Sequence, residues 1–461
     1  MNRVIPNPQA APPRHSNVDR LLNGPIGGTL LRLAAPNTVG FLVGSGVTVA
    51  EMWYVGQLGT TALAGLALGF PMMMLIMMLS AGAMGGAIAA AIARAMGGGN
   101  TARAEALAWH GLMIALAASA LFAIAYLAFG EAFFQFLGGG GDILKAALAY
   151  SDVVFLGGVT VWLANTLSSL LRGSGDMKTP AKAMLLAAAI QIPLSGALAL
   201  GWGPVPNLGI AGVAWGAVTA FGISSLYLAY RLASGRSGLV VRLSTLRLRR
   251  DLFRDILRVG MIASLSPFLT VTTVMLLTGL VTGFGAAALA GFGIATRLEF
   301  LLIPIIFGIG ASLIGMVGAN IGAGQTSRAE RIGWTGGLAA AIIAGGIGTA
   351  TAIWPELWAG IFTTNKDVII AAGAYLVIVG PFYAFHGLGL SLYFASQGAG
   401  SVGWPVLAGA VRLLITVGGG TIALSAFGMS FAQLPYFVAA GMLVFGLGTA
   451  ASVYFGAWRK S

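Results

Sequence analysis

The sequence predicts an all-α integral membrane protein with twelve transmembrane helices in two six-helix lobes, related by a pseudo-two-fold axis along the membrane normal. Three observations carry this. Hydrophobic residues make up 57% of the 461 positions and charged residues only 8%, whereas soluble domains carry about 25% charged residues. Apolar runs recur along the whole length, each near or beyond the roughly 20 residues that a helix needs to cross a bilayer core. Finally, GGGNTARAE at 97–105 returns as GAGQTSRAE at 322–330, six of nine positions identical, at a spacing of 225 residues. The same spacing pairs Trp109 with Trp334, Gly111 with Gly336, Tyr150 with Tyr375 and Pro180 with Pro405. Near residue 60 it slips by one, so that GTTALAG at 59–65 answers GAAALAG at 285–291. One unit is written twice.

In chain order, residues 1–27 are polar and proline-rich (PNPQAAPPRHSN). With no apolar core before a cleavage site, they read as a disordered cytosolic tail and not as a signal peptide. The spans of the first lobe (28–232) fall near 30–56, 62–93, 106–130, 146–171, 183–203 and 209–232. Residues 233–254 (ending SGRSGLVVRLSTLRLRR at 250) form the only long charged connector. It reads as a solvated basic linker or as an amphipathic segment on an anionic leaflet. The second lobe (255–461) places spans near 257–283, 288–320, 332–355, 369–396, 404–427 and 434–457. Seventy glycines suit close packing of helix backbones in lipid. Pro36, Pro71, Pro193, Pro267, Pro304 and Pro381 fall inside spans, where each removes a backbone donor and bends its helix.

Charge tests the span count. Most of the 25 basic residues fall in alternate loops and at the two ends, among them Arg94, Arg172, Lys178, Arg231 and Arg328, while Lys145 and Lys366 lie on the opposite side. An extra or missing span would scramble this bias, which puts both termini in the cytoplasm of a cell inner (plasma) membrane protein. The net charge of +12 is therefore a membrane signature, and nucleic acid is not an expected partner. The sequence has no cysteine, so disulfides and thiol chemistry are excluded. GGGG at 138–141 lacks the Lys-Ser/Thr ending of a phosphate-binding loop. No enzyme motif stands out, and no cofactor is expected. Doubled units around a central cavity are characteristic of secondary transporters.

Charges inside a bilayer are costly, so the few present are the candidates. Glu51 lies late in the first span, roughly 10 Å inside its outer end. It reads as a carboxyl that binds a proton or a cation, or as one paired for structure. Arg297 and Glu299 lie two apart in the eighth span and so face different sides of the helix. Each needs a partner elsewhere or a water-filled cavity. Arg412 in span 11 is a partner for one of the acids. His386 in span 10 has an ordinary pKa of about 6.5, suited to proton coupling; the alternative is a neutral packing residue. Tyr383 belongs to a set of aromatics that suit the wall of a pocket for aromatic cations.

Taken together, Pro36 and Glu51 followed by GQLGTTALA, the loop ARAMGGGN, LLRGSGDMKTP at 170–180, LGIAGVAWG at 208–216 and GANIGAGQ at 318–325 resemble the multidrug and toxic compound extrusion (MATE) family over nearly the whole chain. The resemblance implies a central cleft, alternating access and export of small, often cationic, organic compounds against protons or sodium. It implies that Pro36 bends the first span. Glu51 stands where that family usually has Asp. Gln191 and Ser195 stand where one branch has Asn and Asp four apart, and His386 stands where another branch has Asp. That second branch also has an acid in span 7, and none lies between 257 and 283. A Glu51/His386 arrangement favours protons over sodium, because neutral imidazole is a poor sodium ligand. The ion-coupling candidates are therefore Glu51, His386 and Glu299, and the cavity candidates Gln191, Ser195, Arg297, Arg412 and Tyr383. The expected assembly is a monomer in the bilayer whose partners are small organic substrates and a coupling cation. Two competing readings are a flippase of lipid-linked precursors, which needs a strongly cationic cavity, and an intramembrane enzyme, which needs clustered acids or metal ligands.

Overall fold

The computed structural model describes residues 16–235, 237–241 and 248–459. A short helix, α1 (Ser16–Asn23), precedes the first lobe, which comprises α2 (Ile26–Gln57), α3 (Thr60–Gly97), α4 (Thr101–Phe136), α5 (Gly141–Leu156), α6 (Gly158–Gly173), α7 (Lys178–Leu200) and α8 (Ile210–Ala233). The second lobe comprises α9 (Arg250–Thr282), α10 (Ala286–Gly322), α11 (Thr326–Ile353), the short α12 (Pro355–Ala359), α13 (Lys366–Val379), α14 (Tyr383–Ala399), α15 (Gly403–Phe427) and α16 (Leu434–Tyr454). Among the described residues, 11 helical stretches are long and apolar enough to span a membrane, and α5 with α6, bent by 48° at Gly157, makes a twelfth. The two lobes of the expected fold are present.

The sequence repeat is a repeat of contacts. Gly111 packs on the side chain of Ile88, and Gly336 on that of Leu313, 225 residues further on. Gly65 lies against Ala146 and the Ala147 nitrogen, and Gly291 against Ala371 and the Ala372 nitrogen. The loops after α3 and α10 turn through the same left-handed residue, Gly99 (φ 77°) and Gly324 (φ 75°), a conformation costly for any residue with a Cβ. Between Gly65 and Ile88 the first lobe has one residue more than the second has between Gly291 and Leu313. The extra residue sits in a π-helical segment, Met78–Met84, where α10 is continuous α-helix. A π-bulge is how a helix absorbs a single insertion, and this one explains the slip in the repeat.

The lobes join at the end that carries the chain termini. Here α2 leans on α10, and α9 leans on α3. A side chain at Gly97 would run into the Ala319 carbonyl oxygen, and one at Gly322 into the Arg94 carbonyl oxygen. These are one contact seen twice, because 94 and 319, like 97 and 322, are 225 apart. Small residues let the backbones meet where no apolar driving force acts. Around this seam, Arg94 donates to the Gly398 carbonyl at 3.1 Å and pairs with Asp255 at 3.2 Å, and Arg103 pairs with the other Asp255 oxygen at 2.9 Å. A single buried core runs through both lobes at this end. The far part of the second lobe has its own cluster, including Leu277, Phe292, Tyr375, Tyr383 and Met442.

Two expectations are corrected. The disordered tail does not extend to residue 27. From 16 to 23 the chain is helix α1, with Val18, Leu21 and Leu22 buried; residues 1–15 lie outside the described residues. Sequence polarity hid α1 because its anchors are contacts with the second lobe. Asn320 donates to the Leu21 carbonyl at 3.0 Å, and Arg328 donates to the Gly24 carbonyl. The basic connector is likewise shorter than 233–254. Its last residues belong to α9, which starts at Arg250. Leu239 is fully buried, and the Arg249 N–H donates to His110 Nε2 at 2.8 Å. Residues 236 and 242–247 of the connector lie outside the described residues.

Candidate functional site

In the first lobe the site is built by α2 and α7. Gln191 and Ser195 are four residues apart on α7, so both side chains leave one face. They converge on Glu51 of α2. Gln191 Nε2 donates to Glu51 Oε1 at 2.7 Å, and the Ser195 hydroxyl lies 3.4 Å from the same oxygen and 3.2 Å from the Val213 carbonyl. Gly216 of α8 makes room for this by packing directly on Ser195, and Gly196 lies under the Tyr54 ring. Tyr54, a turn beyond Glu51, stands edge-on to Trp202 with centroids 5.8 Å apart. Tyr150 of α5 is the buried phenol whose electrostatic partner is Glu51. Every polar partner of Glu51 is therefore neutral.

The second lobe holds a different cluster. The Tyr383 hydroxyl donates to Glu299 Oε1 at 3.4 Å. The electrostatic neighbours of Tyr375, the repeat mate of Tyr150, are Glu299 and Arg412. Arg412 Nη1 lies 3.2 Å from His386 Nδ1 and its guanidinium 5.9 Å from the Phe445 ring centre. A guanidinium only donates, so Nδ1 accepts and His386 is held as a neutral imidazole with its proton on Nε2. The spans that carry these residues are interrupted at matching places. The first breaks at Gly157 between α5 and α6, the second at the 3₁₀ turn Gly380–Phe382 between α13 and α14. Matched interruptions in the two halves are a pointer to a binding region.

Between the lobes lie two adjoining cavities that share Gly82, Phe307 and Phe394. The larger, of about 140 Å³, is walled by Met74, Met78, Phe300, His386, Arg412 and Phe445 among others. The smaller, of about 20 Å³, is bounded by Phe41, Gly85, Gly86 and Arg172. Phe307 joins them, edge-on to Phe41 at 5.8 Å and to Phe394 at 4.8 Å.

The candidate residues thus divide. Glu51, Gln191 and Ser195 come together; Glu299, Tyr383, Arg412 and His386 form a second group. The structure does not bring Glu51 and His386 together, since they belong to different lobes and share no partner. Nor does Arg297 reach a cavity. It is exposed, with its guanidinium 5.1 Å from the centre of the Phe362 ring. α2 runs through Pro36 as one helix. Sequence reasoning missed Arg172, Gln397 and Tyr150. The repeat offset, which pairs 172 with 397 and 150 with 375, was the available signal. His110 is fully buried and ties the connector to α4. Among the described residues no group of three His, Cys, Asp or Glu could hold a metal.

A sequence profile of the MatE family matches residues 36–196 and 263–422, one stretch in each half and more than half of the chain. A FAD transporter of Shewanella oneidensis is 26% identical over 385 residues, 82% of each chain. A probable multidrug resistance protein NorM of Thermotoga maritima is 24% identical over 82% of this chain and 81% of its own. Among solved structures, an outward-facing multidrug resistance MATE family transporter of the MOP superfamily shares the fold with a TM-score of 0.88, at 24% identity, over 97% of this chain and 100% of that one.

Proposed function

Because this chain belongs to the MATE family and is a multi-pass membrane transporter, we propose that it exports small organic compounds by antiport, with Glu51 as the carrier of the coupling ion. One observation carries the assignment: Glu51 is a carboxyl inside a span whose hydrogen-bond partners, Gln191 and Ser195, are both neutral. An ionised carboxylate held away from water and from any cation is costly. Binding a proton or a monovalent cation removes that charge, and releasing it restores it. Cycling between these forms is what a coupling site does.

The coupling ion in this reading is the proton. A sodium site needs several oxygen ligands, whereas the Gln191 group turned to Glu51 is the amide nitrogen. Joined at the terminal end, the lobes open alternately to either side of the cleft, and the positive bias of the loops places that end in the cytoplasm of the inner membrane. Separation of Glu51 and Glu299 into different lobes disfavours the enzyme reading, which needs clustered groups.

The test is transport in proteoliposomes loaded with a fluorescent organic compound, with a proton or a sodium gradient imposed separately. Proton-driven flux in wild type that is lost in Glu51→Gln is the expected result. Flux driven only by sodium sinks the choice of ion, and full flux in Glu51→Gln sinks the carrier.

A further inference from the structure

The cavities between the lobes have the opposite polarity to the one organic cations would need. Arg172 lies at the end of α6, only 7% exposed. Its guanidinium stands 5.4 Å from the centre of the Phe41 ring, its Nη2 is 3.9 Å from the Met184 sulfur, and its Nε has no hydrogen-bond partner. The carboxylates paired with arginine among the described residues are Asp251, Asp255 and Glu330, and none of them pairs with Arg172. A buried cation without a counter-charge is among the least favourable groups a fold can hold, and in a membrane protein it marks a functional path.

The surroundings fit a ligand. Arg172 bounds the small cavity with Gly85, Gly86 and Ser169. A side chain at Gly86 would strike the Gln397 amide oxygen, so Gln397 packs directly on Gly86 in the wall behind the cavity. Gln397 is the repeat mate of Arg172. It is fully buried, with the Tyr393 phenol as its side-chain partner. The larger cavity next to the small one is bounded by Arg412, which lies 3.2 Å from the neutral His386 and is in the field of Glu299. Neither Glu51 nor Glu299 lines either cavity.

We propose that the exported compound carries an anionic group, a carboxylate or phosphate, that binds Arg172 in the small cavity between the lobes. Its apolar body lies in the larger cavity against Met74, Met78, Phe300 and Phe445. This rests on the reading of the chain as an exporter of small organic compounds, and it reverses the expectation of cationic ones.

Two probes with the same fluorophore test it: dansyl-aspartate, an anion, and dansyl-aminoethyl-trimethylammonium, a cation. Binding to the purified full-length protein in phosphatidylcholine nanodiscs is read by energy transfer from tryptophan, with no gradient present. The expected result is binding of the anion at least about tenfold tighter than the cation, weakened about tenfold by Arg172→Gln and less by Arg172→Lys. Equal binding, preference for the cation, or no binding of the anion overturns the proposal. If Arg172→Gln does not fold, the wild-type comparison of the two probes still decides. Displacement of the anion by added phosphatidylglycerol assigns the site to a lipid headgroup and overturns the small-molecule source. Gradient-driven flux of both probes in proteoliposomes separates the two readings. Flux of the cation alone keeps the exporter and sinks the charge assignment, whereas anion binding without any driven flux keeps the charge assignment and sinks the antiport.

Discussion

Each lobe holds one half-buried intramembrane carboxyl beside a repeat-related tyrosine, yet the two are not equivalent. Glu51 has Gln191, Ser195 and Tyr150 around it, all neutral. Glu299 has Tyr383 and Tyr375, and the field of Arg412 reaches it. The acids also come from different places in the repeat, the first span of one half and the second span of the other. The difference teaches what makes a buried charge mobile. An acid with a fixed cation nearby has its counter-charge built in and stays as it is through a cycle. An acid among neutral partners needs a visiting cation each time its charge is exposed, and so can be loaded and unloaded.

The strongest way to break this comparison is to neutralise both acids in turn. Glu51→Gln is expected to abolish gradient-driven flux in proteoliposomes while leaving exchange without a gradient. Glu299→Gln is expected to leave driven flux within a few-fold of wild type and to act on stability, lowering it by about 1–3 kcal/mol because Arg412 loses the nearest negative charge. Equal loss of driven flux in both variants would sink the distinction. Adding Arg412→Gln to Glu299→Gln is expected to recover part of the lost thermal stability.

The seam between the lobes sharpens the comparison from the other direction, because there the halves are equivalent. Gly97→Ala and Gly322→Ala each push a methyl group into a carbonyl of the opposite half. Each is expected to cost about 1–3 kcal/mol and, measured by thermal unfolding, the two losses should match. The smallest expected effects are those of Tyr150→Phe and Tyr375→Phe, about 1 kcal/mol each from a lost hydroxyl interaction. Only Tyr150→Phe should also alter the pH profile of driven flux, since only its neighbour changes charge.

Much of this was legible in the sequence, for identifiable reasons. Span positions are set by hydrophobic length, and the structure follows them to within a few residues, as with 183–203 against Lys178–Leu200. Glu51 stood out because charge in lipid is rare. Its contact with Gln191 and Ser195 was not foreseen: the family resemblance marked those two only as cavity candidates, and 140 residues separate Glu51 from Gln191. Helix α1 was invisible because short polar helices are held by tertiary contacts, here from Asn320 and Arg328. Arg172 was read as one more positive loop charge. Whether such a residue faces water or a cavity depends on how α6 turns after Gly157, which no local pattern records. The one-residue slip in the repeat was visible, but its cause, the π-helical Met78–Met84, was not.

The mutual contact of Gly97 with the 319 carbonyl and Gly322 with the 94 carbonyl is the kind of contact that two copies of one polypeptide make across a two-fold axis, where the same patch serves both partners. In an interface between two identical chains one glycine would do the work of both, and a single substitution would strike the interface twice. Within one chain the two glycines are separate positions, so either half of the seam can change alone.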